Sequence, residues 1–324
     1  MQTVSTGTMG GEVMKRALVL AGGGAKGAFE VGATYQLIKE RGLWFDVVTG
    51  VSIGAINASM LGQAKDQAEL IALVEKLKDV WFSLQGNDDV YQQWYPWVPE
   101  WLNAALTLLS KKKSLFHVKP ARKLIQANVD PARLRDSGIE VRFGYVDFVS
   151  GRYVAASNRD YPDLIGAIIA SASIPVAFPP VPLPDGEEGL DGGVRSVTPL
   201  ASAFEALRLW PAGDVPDQMY VVIPSTSPRT VPESEYAGIK LQGWLKVGER
   251  AIQLMQDEIH KNDVDHALEI NELVKSGCTP DPKYRYVDIK LIFPVRSPGP
   301  GLIFDPKRIR ANFEHGLERA REVT

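Results

Sequence analysis

Apolar residues along this chain fall into two alternating patterns. Short apolar runs, Arg16-Ala17-Leu18-Val19-Leu20-Ala21 and Phe45 to Thr49, read as buried strands. Each gives way to a stretch with helical character: Ala28 to Lys39, Ala55 to Met60, and Gln67 to Ser83, where Leu70, Leu73, Leu77 and Trp81 share a face. Further strands are predicted over Glu140 to Phe148, Tyr153 to Ala156, Met219 to Ile223 and Tyr284 to Phe293. A long helix is predicted between Ser234 and Lys275, with Leu241, Leu245, Ile252, Met255 and Ile259 as its core-facing stripe. Strands alternating with helices imply an α/β sheet covered by helices on both faces. There is no internal repeat and no linker long enough to divide the chain, so residues 16–324 read as a single domain. Pro179 to Gly189 reads as a flexible Pro/Gly-rich loop ahead of Asp191.

Composition narrows the class. The 324 residues carry a formal charge of −3 at pH 7, which gives no sign of nucleic-acid binding. A single cysteine, Cys278, rules out an internal disulfide and fits a reducing compartment, so a cytoplasmic location is expected. Met1 to Met14 is polar and glycine-rich with no apolar segment of the signal-peptide kind, and residues 1–15 are expected to form a disordered leader. No run approaches transmembrane length.

Two glycine-rich turns carry candidate chemistry. Gly50-Val51-Ser52-Ile53-Gly54 is a G-x-S-x-G at a strand-to-helix junction; a serine there is lifted out of the sheet as an exposed nucleophile, while the flanking glycines allow a tight bend. The pentapeptide alone also fits an ordinary structural turn. Upstream, Gly22-Gly23-Gly24-Ala25-Lys26-Gly27 sits at a helix N-terminus, where unpartnered backbone N–H groups and the helix dipole favour an anion. The order Lys26-Gly27-Ala28 does not fit a nucleotide P-loop, whereas an oxyanion near a serine does fit. A third element, Gly189-Leu190-Asp191-Gly192-Gly193, holds a carboxylate in what is otherwise a common turn.

The base for such a serine is left open by the residues themselves. Of the four histidines, His117 follows a lysine run, and His260, His266 and His315 fall in long polar helical patterns, so packed or solvated imidazoles are the plain reading. The order serine, aspartate, later histidine nevertheless matches a triad hydrolase, with His315 as the candidate third member.

Together the three motifs resemble the patatin-like phospholipases, lipid acyl hydrolases with a glycine-rich oxyanion loop, a G-x-S-x-G elbow and a later D-G-[GA]. Ala170-Ser171-Ala172-Ser173-Ile174-Pro175 through Phe178-Pro179-Pro180 is also similar to the family's segment before the aspartate. The motifs span about residues 16 to 200. The resemblance implies a three-layer α/β/α fold with a mostly parallel central sheet. It also implies a Ser52–Asp191 dyad without histidine, and an oxyanion hole from Gly22, Gly23 and Gly24, with Gly23 and Gly24 the foremost donors. The chain departs from the family's loop at Ala21, where an acidic residue is usual, and at Lys26, where arginine is; lysine keeps the charge and loses the planar fork.

The expected substrates are phospholipids or lysophospholipids, cleaved through an acyl-serine intermediate, with neither cofactor nor metal. An acyltransferase using the same site and a noncatalytic lipid-binding module are the alternatives. Residues 81–113 concentrate Trp81, Tyr91, Trp94, Tyr95, Trp97 and Trp101 ahead of Lys111-Lys112-Lys113. That composition fits either a lid that docks on a membrane surface, making the protein peripheral to membranes, or a hydrophobic subdomain packed on the sheet.

Overall fold

The computed structural model describes residues 14–110, 112–226, 244–278 and 284–323. In chain order the first half runs β1 (Arg16–Leu20), α1 (Ala28–Tyr35), β2 (Val47–Val51), α2 (Ile53–Leu61), α3 (Gln67–Ser83), β3 (Gln92–Gln93), α4 (Glu100–Leu109), β4 (Phe116–His117), α5 (Lys119–Asn128) and α6 (Pro131–Arg135). The second half follows as β5 (Glu140–Asp147), β6 (Tyr153–Ser157), α7 (Leu164–Ser171), β7 (Val181–Pro182), β8 (Glu188–Asp191), α8 (Leu200–Leu207), β9 (Asp217–Val222), α9 (Trp244–Lys275), β10 (Val287–Ile292) and α10 (Pro306–Arg321). The main sheet has the order β10-β9-β1-β2-β5-β8-β7, with β6 also on β5. Its β10–β9–β1–β2–β5 portion is parallel, and β6, β7 and β8 join antiparallel.

Alternation along the strands makes the two helical layers. Leu18 and Leu20 of β1 face a core with Phe29 of α1, Leu61 of α2, Val74 of α3 and Ile168 of α7, while Ala17 and Val19 face Leu200 and Ala203 of α8 and Val264 of α9. Helix α3 matches its expected span, and Leu70, Leu73, Leu77 and Trp81 are all buried. The elbow strand runs two residues further than its apolar run suggests, to Val51, because that residue still pairs with Gly144 of β5. Residues 1–13 of the expected leader lie outside the described residues, and Lys15 is tied into the fold through Asp217 and Asp46.

Helix α9 faces its neighbours differently from its apolar stripe. Leu241 and the Leu245 side chain lie outside what is described, Met255 is 64% exposed, and the buried positions among the described side chains are His260, Val264, Ala267 and Asn271. Asn271 explains why a polar residue belongs there: its side-chain amide pairs with both backbone groups of Val287, latching α9 to the edge strand β10.

The aromatic segment splits by role. Trp81 and Tyr91 are buried, Tyr91 among Phe116, Phe178 and Phe304, and Trp94 donates its Nε1–H to the Ser114 carbonyl. Trp97, at 77% exposed, and Leu109, at 80%, face solvent. Among the described residues no helix is long and apolar enough to cross a membrane.

Candidate active site

Strand β5 brings the candidate nucleophile and base together. Its register sets Gly144 opposite Val51 of β2 and the next residue, Tyr145, opposite Asp191 of β8. Two chain segments far apart in sequence thus end at successive residues of one strand, and Ser52 and Asp191 emerge side by side. Ser52 takes φ 57°, ψ −126°, a conformation rare outside glycine, and holds it because Ser171 anchors the turn. The Ser171 hydroxyl accepts from the Ser52 N–H at 3.0 Å and donates to the Gly144 carbonyl. Although Ser52 stands at the N-cap of α2, its side chain makes no capping bond, which leaves the hydroxyl available for chemistry.

Asp191 is buried, and Oδ1 accepts from the Gly193 N–H at 2.7 Å. Burial pushes its carboxyl up to about 7; the nearby Ser52 hydroxyl and the Gly193 N–H hold that rise down in part. Oδ2 completes no hydrogen bond. Serine and carboxylate therefore approach without closing, a geometry that a bound substrate can tighten.

The glycine loop divides its labour. The Gly22 N–H donates to the Val197 carbonyl at 2.9 Å, so Gly22 leaves the expected set of oxyanion donors. Its role is steric: a Cβ there would stand 3.3 Å from the Ser52 Cβ. Gly24 sits at φ 58° with the Gly301 carbonyl so close that a Cβ would lie 2.1 Å from its oxygen, and the Ala25 N–H donates to that same carbonyl at 2.6 Å. Only glycine fits this position. Gly23 and Gly24 remain as candidate donors.

Two cavities meet at Ser52 and Gly24. The larger, about 1340 Å³, is open and mixed in polarity, and Gly22, Gly23, Lys26 and His260 also line it. The smaller, about 50 Å³, is a narrow slot walled by Ile53, Ile56, Ile125, Ile169, Phe178 and Phe304. An ester at Ser52 could thus lay an apolar chain in one and its alcohol half in the other.

His260 belongs to the site's surroundings, which its polar helical context did not suggest. Its Nδ1 lies 2.5 Å from the Thr198 hydroxyl, and burial, with Lys26 adding repulsion, pushes the imidazole down to about 3 even though the Gly22 backbone favours its charged form. It is a neutral ring at working pH. The only sequence signal was its place in the i, i+4, i+7 series with Val264 and Ala267. His315 is elsewhere: it packs edge-on against Phe29, its Nε2 accepts from the Val295 N–H at 3.4 Å, and it lines neither cavity. Asp263 supports the loop before α8, its Oδ2 accepting from the Thr198 N–H and the Ser196 hydroxyl, and burial pushes it up to about 6. Among the described residues no group of three or more histidine, cysteine or acidic side chains could hold a metal ion.

Behind the nucleophile helix, Glu30 of α1 is fully buried and burial raises its carboxyl well above the usual range. Asn57 of α2 donates to Glu30 at 2.8 Å and accepts from the Trp81 Nε1–H at 2.9 Å, joining α1, α2 and α3 through one polar chain.

Comparison with known proteins places these features in context. A family model described as patatin-like phospholipase matches residues 18–204, more than half of the chain. An uncharacterized protein of Bacillus subtilis (strain 168), YqhO, is 28% identical over 207 residues, covering 56% of this chain and 64% of that protein. Among solved structures, VipD from Legionella pneumophila aligns with a TM-score of 0.43 at 16% identity, over 95% of this chain and 66% of VipD. The type III effector ExoU, whose complex with SpcU comes from Pseudomonas aeruginosa, aligns with a TM-score of 0.38 at 13% identity, over 96% of this chain and 52% of ExoU. The chain spans less than two thirds of the length of each of these proteins.

Proposed function

On the premise that this chain belongs to the patatin-like phospholipase family, which the match over residues 18–204 shows, we propose that it is a serine lipid acyl hydrolase. It releases fatty acids from phospholipid or lysophospholipid esters. The observation that carries this reading is the convergence of Ser52, a buried Asp191 and the glycine loop where an apolar slot joins an open cavity of mixed polarity.

In the first half-reaction the Ser52 Oγ attacks the ester carbonyl carbon while Asp191 takes the hydroxyl proton. A carboxyl held near 7 is a far better base than an ordinary aspartate near ~3.9, yet still ionises at neutral pH. The negative oxygen that forms is held by the backbone N–H groups of Gly23 and Gly24, each well-placed donor being worth roughly 3–4 kcal/mol. Collapse of the tetrahedral species breaks the bond to the leaving alcohol, which receives the proton from Asp191 and leaves an acyl-serine. Water then repeats the sequence: Asp191 accepts its proton, hydroxide adds to the acyl carbon, and the fatty acid departs as Ser52 is reprotonated.

The test is fatty acid release from a dispersed phospholipid and a lysophospholipid, with EDTA present, by the wild type and by Ser52→Ala. Release that disappears in the variant is expected. Release that persists in Ser52→Ala, or release from neither lipid, would overturn the assignment.

A further inference from the structure

The glycine loop is tethered peptide by peptide. The Gly22 N–H donates to the Val197 carbonyl at 2.9 Å, the Gly23 carbonyl accepts from the Lys26 N–H at 3.3 Å, and the Ala25 N–H donates to the Gly301 carbonyl at 2.6 Å. The first two bonds fix the peptides on either side of the one that joins Gly22 to Gly23. Glycine has no side chain to restrict the rotation of that central unit, so an oxyanion hole at Gly23 needs a further restraint. A trans peptide points its carbonyl and its N–H in opposite directions, and whatever holds the Gly22 carbonyl therefore aims the Gly23 N–H.

His260 is placed to hold it. The ring is buried, yet it lines the same cavity as Ser52, Gly22 and Gly23. The Gly22 backbone group beside it favours the charged ring and is therefore the carbonyl; an N–H would oppose that charge, and the Gly22 N–H is spent on Val197. Nδ1 lies 2.5 Å from the Thr198 hydroxyl, while Nε2, also buried, completes no hydrogen bond. A buried ring nitrogen left unpaired costs free energy, and closing on the neighbouring carbonyl removes that cost.

The ring's single proton has one consistent place. Burial keeps the imidazole neutral, so it carries one N–H. A carbonyl only accepts, which puts the proton on Nε2 and leaves the bare Nδ1 to accept from the Thr198 hydroxyl. Thr198 is itself fixed, because its N–H donates to Asp263 Oδ2 at 3.1 Å, three residues further along α9.

We propose that His260 is a positioning residue for the oxyanion hole: its Nε2–H donates to the Gly22 carbonyl and thereby turns the Gly23 N–H toward the oxygen that becomes negative at Ser52. This rests on the hydrolase reading above, and it gives the imidazole a role that is neither acid nor base.

The first test needs no substrate. Long-range proton–nitrogen correlation spectra of the full chain, labelled with nitrogen-15 histidine and held at neutral pH, report which ring nitrogen carries the proton, and His260→Gln assigns the signals. The neutral Nε2–H form is expected for His260. A proton on Nδ1, or a charged ring, would overturn the proposal whether or not any ester is hydrolysed.

The second test reads fatty acid release from the better of the two lipids. A glutamine amide can supply an N–H where histidine has Nε2, whereas leucine cannot. His260→Leu is expected to lower kcat by about tenfold or more with KM little changed, because the oxyanion exists only in the transition state. His260→Gln is expected to recover most of that loss. Unchanged kcat in His260→Leu, or a glutamine variant as slow as the leucine variant at an equal melting temperature, would overturn the proposal. If the wild type releases fatty acid from neither lipid, the hydrolase reading fails, and the spectra alone decide whether His260 holds the Gly22 carbonyl.

Discussion

In the proposed mechanism Asp191 is the base, and burial suits it to that role by working against its charge. Its carboxyl is raised to about 7, so the sign of two pH effects follows. Below that value the folded protein keeps Asp191 protonated, and kcat/KM is expected to rise with pH through an apparent pKa near 7. His260, held neutral down to about 3, contributes no step there. Asp263, raised to about 6, is the competing titrant, and Asp263→Asn should leave the step near 7 in place. For stability the direction reverses. Between the ordinary carboxylate range and about 7 the unfolded chain has lost a proton that the native state retains, so stability falls as pH rises across that window. Asp191→Asn should therefore abolish most hydrolysis while raising the melting temperature at pH 8 more than at pH 4; an inactive variant melting lower at pH 8 would contradict the desolvation argument. Gly24→Ala adds a Cβ where the Gly301 carbonyl stands, and a loss of about 10²–10³ in kcat is expected from the displaced donor.

At the scale of elements, α1, α2 and α3 are locked by the Glu30–Asn57–Trp81 chain. Asn57→Ala removes both bonds and leaves two buried polar groups unanswered, a loss of about 2–4 kcal/mol in denaturant unfolding. Trp81→Phe in that background should cost less than it does in the wild type, because the pair has already been broken. The elements also show where sequence reading held and where it failed. Helix α3 was legible because its stripe of Leu70, Leu73, Leu77 and Trp81 is buried in full. Helix α9 was misread because apolarity was taken as the mark of its inner face, whereas that face carries His260, whose Nδ1 meets the Thr198 hydroxyl, and Asn271, whose amide pairs with the backbone of β10. Strand β8 was hidden inside a Pro/Gly-rich stretch; four residues, Glu188 to Asp191, hold their place by pairing with β5 and β7 rather than by propensity.

For the whole molecule, the aromatic segment buries Trp81 and Tyr91, while among its described side chains Trp97 and Leu109 are large, apolar and exposed. If the protein works at a lipid surface through this segment, the paired change Trp97→Ser and Leu109→Ser should lower sedimentation with anionic vesicles and slow hydrolysis of vesicle-borne substrate, with a far smaller effect on a dispersed short-chain ester. Unchanged sedimentation would remove the segment from membrane docking. What the sequence determined by itself was the set of local choices: an alternating strand and helix pattern, a serine on a tight turn, a glycine-rich anion site and an aspartate in a loop. Those are short-range properties, set by side-chain periodicity and by which residues tolerate unusual backbone angles. The tertiary structure alone decided that Asp191 lies next to Ser52, that Gly22 spends its N–H on Val197, and that an apolar slot and an open cavity meet at Ser52. Each depends on strand register or on contacts across more than a hundred residues of chain, and burial, which raises the aspartate's pKa, exists only once the sheet and its helices have closed.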